Sequence, residues 1–296
     1  MKTIRQLVNE TRSMRQTDKE LDREDRVDAV YRDFPGLERI DEQIVRVRGQ
    51  NLIRVAEKKI DAFSLPTEEE KELAEKRRVF IMKNNIDPEF DELKIVCPKC
   101  KDEGFISGKY KDGHLYKVCD CMKDELEEAF AQAGLGYYKT INSDTFDTKH
   151  IASSAEKRTN VRKILTRALM DFCYGGNAET YIYSDGVQTG KTFLAVWFAK
   201  TAIELGCSTF YCKADDVISA DDEFISNLKE CKVLVIDDFS SRVTAVNKAA
   251  SILNNVLDIR SSAGLMTVFV TTESKEEIIA ESDERVSGKL VGAVKL

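Results

Sequence analysis

The stretch Tyr181-Ile-Tyr-Ser-Asp-Gly-Val-Gln-Thr-Gly-Lys-Thr192 decides the fold. It reads as a short apolar strand, a loop and the start of a helix. The closing T-G-K-T is the end of a Walker A loop, whose full pattern places a further Gly where Asp185 stands, with Gly186 one position later. Backbone N–H groups of a loop entering a helix suit a phosphate, because they are unpartnered there and the helix dipole favours negative charge. Gly186, Gln188, Thr189 and Gly190 are the expected cradle, with Lys191 reaching the β- and γ-phosphates and Thr192 holding Mg²⁺.

A second element lies about 45 residues downstream. Val233-Leu-Val-Ile-Asp237-Asp238 is a buried strand ending in two carboxylates, a Walker B pattern. Asp237 is expected to bind Mg²⁺ through water and Asp238 to orient or deprotonate the attacking water. A third apolar run, Thr267–Thr272, ends beside Glu273, a residue placed to position that water. Near the C-terminus, Arg285 and Lys289 supply cations for a phosphate, in cis or across a subunit boundary.

Around these motifs the pattern alternates. A helix over 154–174, strand 181–183, helix 191–205, strand 208–212, a short acidic helix over 214–229, strand 233–236, helix 243–260 and strand 266–270 predict a parallel sheet covered on both faces.

Upstream the character changes. Residues 1–30 are dense in charge of both signs and read as a solvated helix, an arm that orders on a partner. Leu37, Ile40, Ile44 and Val47 then recur at helical spacing after Pro35-Gly36. Thr67 and Glu70 form a capping box for a second helix running to about Lys83. The pair reads as an antiparallel hairpin or a docking surface.

Eight cysteines fall into two sets. Cys97, Cys100, Cys119 and Cys121 form CPKC-x18-CDC around a Gly-rich hairpin, a spacing with which four thiolates enclose one Zn²⁺. With the shell complete, the site is expected to be structural and His114 a solvated loop residue. Cys173, Cys207, Cys212 and Cys231 are scattered and read as core thiols.

The 296 residues carry a net charge of −7, and 42% are hydrophobic, enough for a core. Residues 1–150 hold 28 basic and 32 acidic side chains and residues 151–296 hold 17 and 20, so bulk charge provides no strong non-specific hold on DNA. No apolar run reaches the ~18–20 residues of a membrane span, and the N-terminus lacks the apolar stretch of a signal peptide. The expectation is a soluble, cytoplasmic protein with no membrane partner.

Taken together, these motifs resemble the DnaC/DnaI-like bacterial helicase loaders of the AAA+ class, a P-loop ATPase group related to IstB-type transposition helpers and the initiator DnaA. The resemblance rests on F-P-G-L-E-R-I-D (34–41), C-P-K-C and C-D-C (97–121), D-T-F-D (144–147), T-G-K-T-F-L-A (189–195), V-I-D-D-F (235–239), a helix ending in Arg260, T-V-F-V-T-T (267–272) and E-R-V-S-G-K-L (284–290). It implies a helical partner-binding region over 1–93, a zinc module over 94–125, a linker over 126–150 and an AAA+ ATPase domain over 151–296. It also implies ATP, Mg²⁺ and Zn²⁺ as cofactors, and a DnaB-type hexameric helicase, single-stranded DNA and other copies of the chain as partners.

Several positions depart from that family. Asp185 and Gln188 replace glycines of G-P-x-G-x-G-K-T, Glu273 replaces an Asn, and Gly288-Lys289-Leu290 replaces S-R-L, where Lys lacks the forked contact of Arg. The segment Asp215, Asp216, Asp221, Asp222 and Glu223 is short and acidic where relatives are longer and more basic. The departures point to a P-loop ATPase with a degenerate catalytic site and weak DNA binding. A nucleotide-gated adaptor with little hydrolysis and an IstB-like transposition helper are the rival readings.

Overall fold

The computed structural model describes residues 2–59, 61, 65–110, 113–141, 155–176 and 178–296. The D-T-F-D segment at 144–147 and the end of the expected linker, residues 142–150, lie outside the described residues. The chain forms two compact units, Arg12–Val96 and a second made of Met1–Thr11 with Cys97–Leu296. No helix is long and apolar enough to cross a membrane, among the described residues.

The smaller unit is helical. It holds most of α1 (Ile4–Asp33), then α2 (Pro35–Ala56) and α3 (Glu68–Lys83). The stripe read from the sequence is the buried one: Leu37, Ile44 and Val47 turn inward, against Leu73 and Ile81 of α3. Thr67 caps α3 in a reciprocal box, its backbone N–H donating to Glu70 Oε2 at 2.8 Å. Arg77 holds the unit's polar side together, donating to Asp41 at 2.7 Å and Asp91 at 2.6 Å, while the Tyr31 hydroxyl donates to Asp41 at 2.9 Å.

The larger unit begins with a hairpin, β1 (Phe105–Tyr110) and β2 (Gly113–Val118), followed by α4 (Lys123–Gln132) and α5 (Ala155–Cys173). Then come β3 (Thr180–Ser184), α6 (Lys191–Glu204), β4 (Thr209–Lys213), α7 (Asp222–Glu230) and β5 (Val233–Phe239). The chain closes with α8 (Ser241–Thr244), α9 (Asn247–Ser262), β6 (Met266–Thr271), α10 (Lys275–Glu281), α11 (Glu284–Leu290) and β7 (Val294–Lys295). The five strands β3 to β7 make one parallel sheet in the order β4-β5-β6-β3-β7.

Alternation along each strand divides the core. Val233 and Val235 join Tyr181, Tyr183, Val268 and Val270 on the face covered by α5 and α6. Leu234, Ile236, Ile182 and Phe269 face α9 on the other side. A sheet buried on both faces needs apolar residues at every position, which is why β5 reads as an unbroken apolar run. The predicted α/β class is the observed one. The single predicted helix over 243–260 is two, α8 and α9, and the short strand β7 adds an edge beside β3.

The start of the chain differs from the reading of residues 1–30 as a solvated arm. Ile4, Leu7 and Val8 are buried in the same core as α6, together with Val118 and Met122 of the cysteine region. Immediately after α4, the Ala133 carbonyl accepts from the Tyr211 N–H of edge strand β4 at 2.9 Å. Gly134 follows at φ +83°, and a Cβ there would lie 2.4 Å from the Tyr211 carbonyl oxygen, so only glycine lets the chain run this close to β4.

Arg260 pins the far end of the sheet. It is 1% exposed and donates to Thr267 Oγ1 at 2.8 Å, to the Leu228 and Cys231 carbonyls at 2.9 and 2.7 Å, and to the Met266 carbonyl. Burial pulls its pKa down, opposed by the neighbouring Cys231. Arg260→Leu is expected to cost about 3 kcal/mol or more, because several buried acceptors lose their donor at once. Urea unfolding of the variant beside the parent checks this.

Candidate functional site

The strand order sets the site. Because β6 lies between β3 and β5, the carboxyl ends of the P-loop strand, the Walker B strand and β6 stand side by side, the place where ligands bind open α/β sheets. Ser184 pairs with Thr271, and the Asp185 N–H donates to the Thr271 carbonyl at 3.3 Å.

The loop between β3 and α6 turns through two left-handed residues. Gly190, the N-cap of α6, sits at φ +82° and Gln188 at φ +59°. The glycine of the resembled pattern at position 188 thus has a conformational reason, and Gln188 adopts the same region at some strain. Asp185, in the other substituted glycine position, is turned back into the loop. Its carboxylate accepts from the Gly186 N–H at 2.8 Å and from the Tyr183 hydroxyl at 3.1 Å. The Gly186 carbonyl accepts from the Thr189 hydroxyl at 2.9 Å and from the buried Lys191 ammonium. The expected cradle residues Gly186 to Thr192 are therefore all brought to one turn.

Asp237 closes the opposite side. It is fully buried at the end of β5. Its Oδ2 accepts from the Tyr211 hydroxyl at 3.0 Å, whereas the buried Oδ1 has no hydrogen-bond partner. Burial pushes its pKa up, and the nearby Thr192 and Tyr211 hydroxyls oppose that shift. A buried carboxylate oxygen left bare beside the Thr192 hydroxyl is costly unless something electropositive meets it. The residues present therefore fit a divalent cation shared by Thr192 and Asp237.

Tyr211 is a member of this site that its sequence did not reveal. Its ring packs edge-on against Tyr138 at 5.6 Å between centroids, and the two hydroxyls lie 3.1 Å apart. A phenol relay thus runs from Tyr138, beyond α4, to the Walker B carboxylate. The Tyr138 carbonyl also accepts from the buried Lys200 ammonium of α6 at 2.6 Å. Tyr211→Phe is expected to lower stability by about 1–3 kcal/mol, since Asp237 loses a donor without becoming solvated. Chemical denaturation at neutral pH checks it, with Tyr138→Phe as the milder comparison.

The expected catalytic residues are placed differently. Asp238 is exposed at φ +53°, within a bulge where Ile236 pairs with Phe269 but Phe239 pairs with Thr271. Bulges re-aim side chains, and here Asp238 meets Lys213 of β4 at 3.2 Å. Glu273 sits at the tip of β6 as expected, but its carboxylate accepts from the Ser241 N–H at 2.9 Å. On α11, Arg285 grips Asp283 with two bonds of 2.9 and 3.0 Å, and Lys289 pairs with Asp258 of α9.

The four clustered cysteines converge. Their sulfurs all lie within 4.8 Å of one another, with Cys97 to Cys119 at 3.8 Å and Cys100 to Cys121 at 3.6 Å. For metal–sulfur bonds of ~2.3 Å, a regular tetrahedron has edges of about 3.8 Å, so the donor set fits a tetrahedral thiolate centre. Lys101 and Asp102 at φ +50° and +66° turn the chain, so that the Gly104 N–H reaches Cys100 Sγ at 3.4 Å and Asp102 accepts from the Cys97 N–H at 2.7 Å. The backbone N–H groups of Cys100 and Lys99, with the neighbouring thiols, bring the Cys97 thiol down to about 7.

No family model matches the chain. The replicative helicase loader DnaC of Escherichia coli strain K12 is 25% identical over 128 residues, 40% of this chain and 52% of DnaC. DnaC of Shigella flexneri matches to the same extent. The chain thus spans about half the length of the curated relatives it matches. Among solved structures, DnaI aligns at a TM-score of 0.42 with 14% identity, covering 49% of this chain and 87% of DnaI. AMPPCP-bound DnaA from Aquifex aeolicus aligns at 0.43 with 17% identity, covering 52% and 51%. In its match to DnaC, and in the order of the motifs quoted above, the chain is similar to the DnaC/DnaI-like helicase loaders.

Proposed function

We propose that this chain is an ATP-binding helicase loader of DNA replication, with a structural Zn²⁺ held by Cys97, Cys100, Cys119 and Cys121. The observation that carries the nucleotide reading is the bare, buried Asp237 Oδ1 beside Thr192 at the start of α6. When bound, Mg²⁺ would neutralise charge on the β- and γ-phosphates of ATP. Thr192 and Asp237 would hold that ion, Lys191 would meet the phosphates, and the loop N–H groups from Gln188 to Thr192 would wrap them.

The loader reading rests on the match to DnaC together with the helical unit Arg12–Val96. In that unit Val45, Leu52 and Ile53 of α2 and Val79 and Met82 of α3 are at least half exposed. A set of large apolar side chains on a charged helical surface suits a protein partner, here a DnaB-type hexameric helicase. The P-loop unit would engage single-stranded DNA weakly, for want of a basic insertion.

The ion pair of Asp238 with Lys213 and the tie of Glu273 to Ser241 favour a second reading, a nucleotide-gated adaptor with slow turnover. The test mixes the zinc-loaded chain with a DnaB-type helicase and circular single-stranded DNA, with and without ATP. Co-elution with the ring and ATP-dependent helicase transfer to the circle are the expected results. Absence of any complex with the ring overturns the loader reading. ATP turnover measured in the same mixture separates hydrolysing loader from adaptor.

A further inference from the structure

Cys173, at the end of α5, and Cys207, between α6 and β4, belong to the scattered set that reads as core thiols. Their sulfurs lie 2.9 Å apart, closer than the facing sulfurs of the cysteine cluster at 3.6 and 3.8 Å. Closure to a disulfide bond requires only about 0.9 Å of further approach. The pair lines a cleft of about 270 Å³ that also holds Arg5, His114, Tyr116 and Lys232. Cys207 is buried and Cys173 is partly exposed, so one thiol has access to the cleft.

One of these cations is held in place. Arg5 Nε donates to the Gly206 carbonyl at 3.2 Å, next to Cys207. Gly206 lies at φ +82°, and a Cβ there would come within 3.0 Å of Arg5 Nε, so the turn and the guanidinium are fitted to each other. The neighbouring Cys207, with Lys232 and Arg5, holds the Cys173 thiol below its ordinary value, and the Cys207 thiol is raised in turn. A partly exposed thiol with lowered pKa, facing cations and a second thiol, is the environment of reactive rather than structural cysteine.

We propose that Cys173 and Cys207 form a redox modification site, oxidised to a disulfide by a hydroperoxide, with Cys173 as the attacking thiol. The Cys173 thiolate attacks the O–O bond, forming S–O and releasing the other oxygen as alkoxide or hydroxide, which takes a proton. Cys207 then attacks the resulting sulfenic sulfur. An S–S bond forms, the S–O bond breaks, and the departing hydroxide takes the Cys207 proton as water. Two thiols lose two electrons in total, and hydrogen peroxide is reduced to two waters. The product ties the end of α5 to the turn that α1 contacts through Arg5.

The test uses the full, reduced, zinc-loaded chain and a few equivalents of hydrogen peroxide, followed by alkylation and non-reducing tryptic mapping. The expected product links the peptide 168–191 to the peptide 201–213, two hydrogens lighter than their sum, with fragment ions placing the bond on Cys207 rather than Cys212. In Cys207→Ser the expected product is a dimedone-trapped sulfenic acid on Cys173. Recovery of Cys173 and Cys207 fully alkylated from the peroxide-treated parent, a bond through Cys212, or oxidation confined to the clustered four cysteines overturns the proposal. The parent mapping stands alone should the serine variant fail to fold.

Discussion

Stripping the metal from the four-cysteine centre, or replacing Cys100 by Ser, is expected to lower the melting temperature by about 10–20 °C. Structural Zn²⁺ in small modules contributes about 10–16 kcal/mol of apparent binding energy that is also folding energy. Even a loss of about 5 kcal/mol shifts a unit of this size by that many degrees. The effect reaches beyond the hairpin because Val118, Met122 and Cys119 are buried, and the first two share a core with Val8, Leu194 and Phe198 of α6. Released from the metal, the thiolates repel one another, and β1–β2 has no large apolar core of its own to hold it. Thermal unfolding before and after chelation, with zinc release counted by a chromophoric chelator, checks this. An unchanged melting curve with four free thiols would assign the cluster no structural role.

Lys191→Ala is expected to weaken Mg–ATP binding at least about 100-fold, the scale of a charge-assisted contact worth about 3 kcal/mol. Lys191 is buried, its ammonium already drawn into the loop by the Gly186 carbonyl, so its position is set before any ligand arrives. At a nucleotide concentration 100 times the parent's Kd, ligand stabilises the parent by about 2.7 kcal/mol and the variant by only about 0.4 kcal/mol. Thermal shifts of roughly 5–10 °C and 1 °C follow from those energies. Equal shifts in parent and variant would show that the nucleotide binds elsewhere.

Much of this was legible because the signals are local. T-G-K-T and the apolar run before Asp237 each report a strand end in about ten residues, and Thr67 with Glu70 announced the start of α3. The cysteine cluster was legible from spacing alone. The phenol relay was not: Tyr211 lies 26 residues from Asp237 and Tyr138 a further 73 away, a juxtaposition made only by the sheet and the chain beyond α4. The burial of Ile4, Leu7 and Val8 was hidden by the charges around them, although their spacing is helical. The break between α8 and α9 falls at Ala245 and Val246, with neither Gly nor Pro to mark it. The pairings of Asp238 with Lys213 and of Lys289 with Asp258 were equally beyond reach, since they join different elements across the fold.

A Mg²⁺-dependent ATP site at the start of α6 is tested most directly by equilibrium titration of the full, zinc-loaded chain with ATP. Saturable binding of one nucleotide per chain in Mg²⁺, weakened at least about tenfold when Mg²⁺ is chelated or Asp237 is replaced by Asn, is the expected result. Absence of saturable binding by the folded, metal-loaded protein, or binding indifferent to both Mg²⁺ and Asp237, would contradict it.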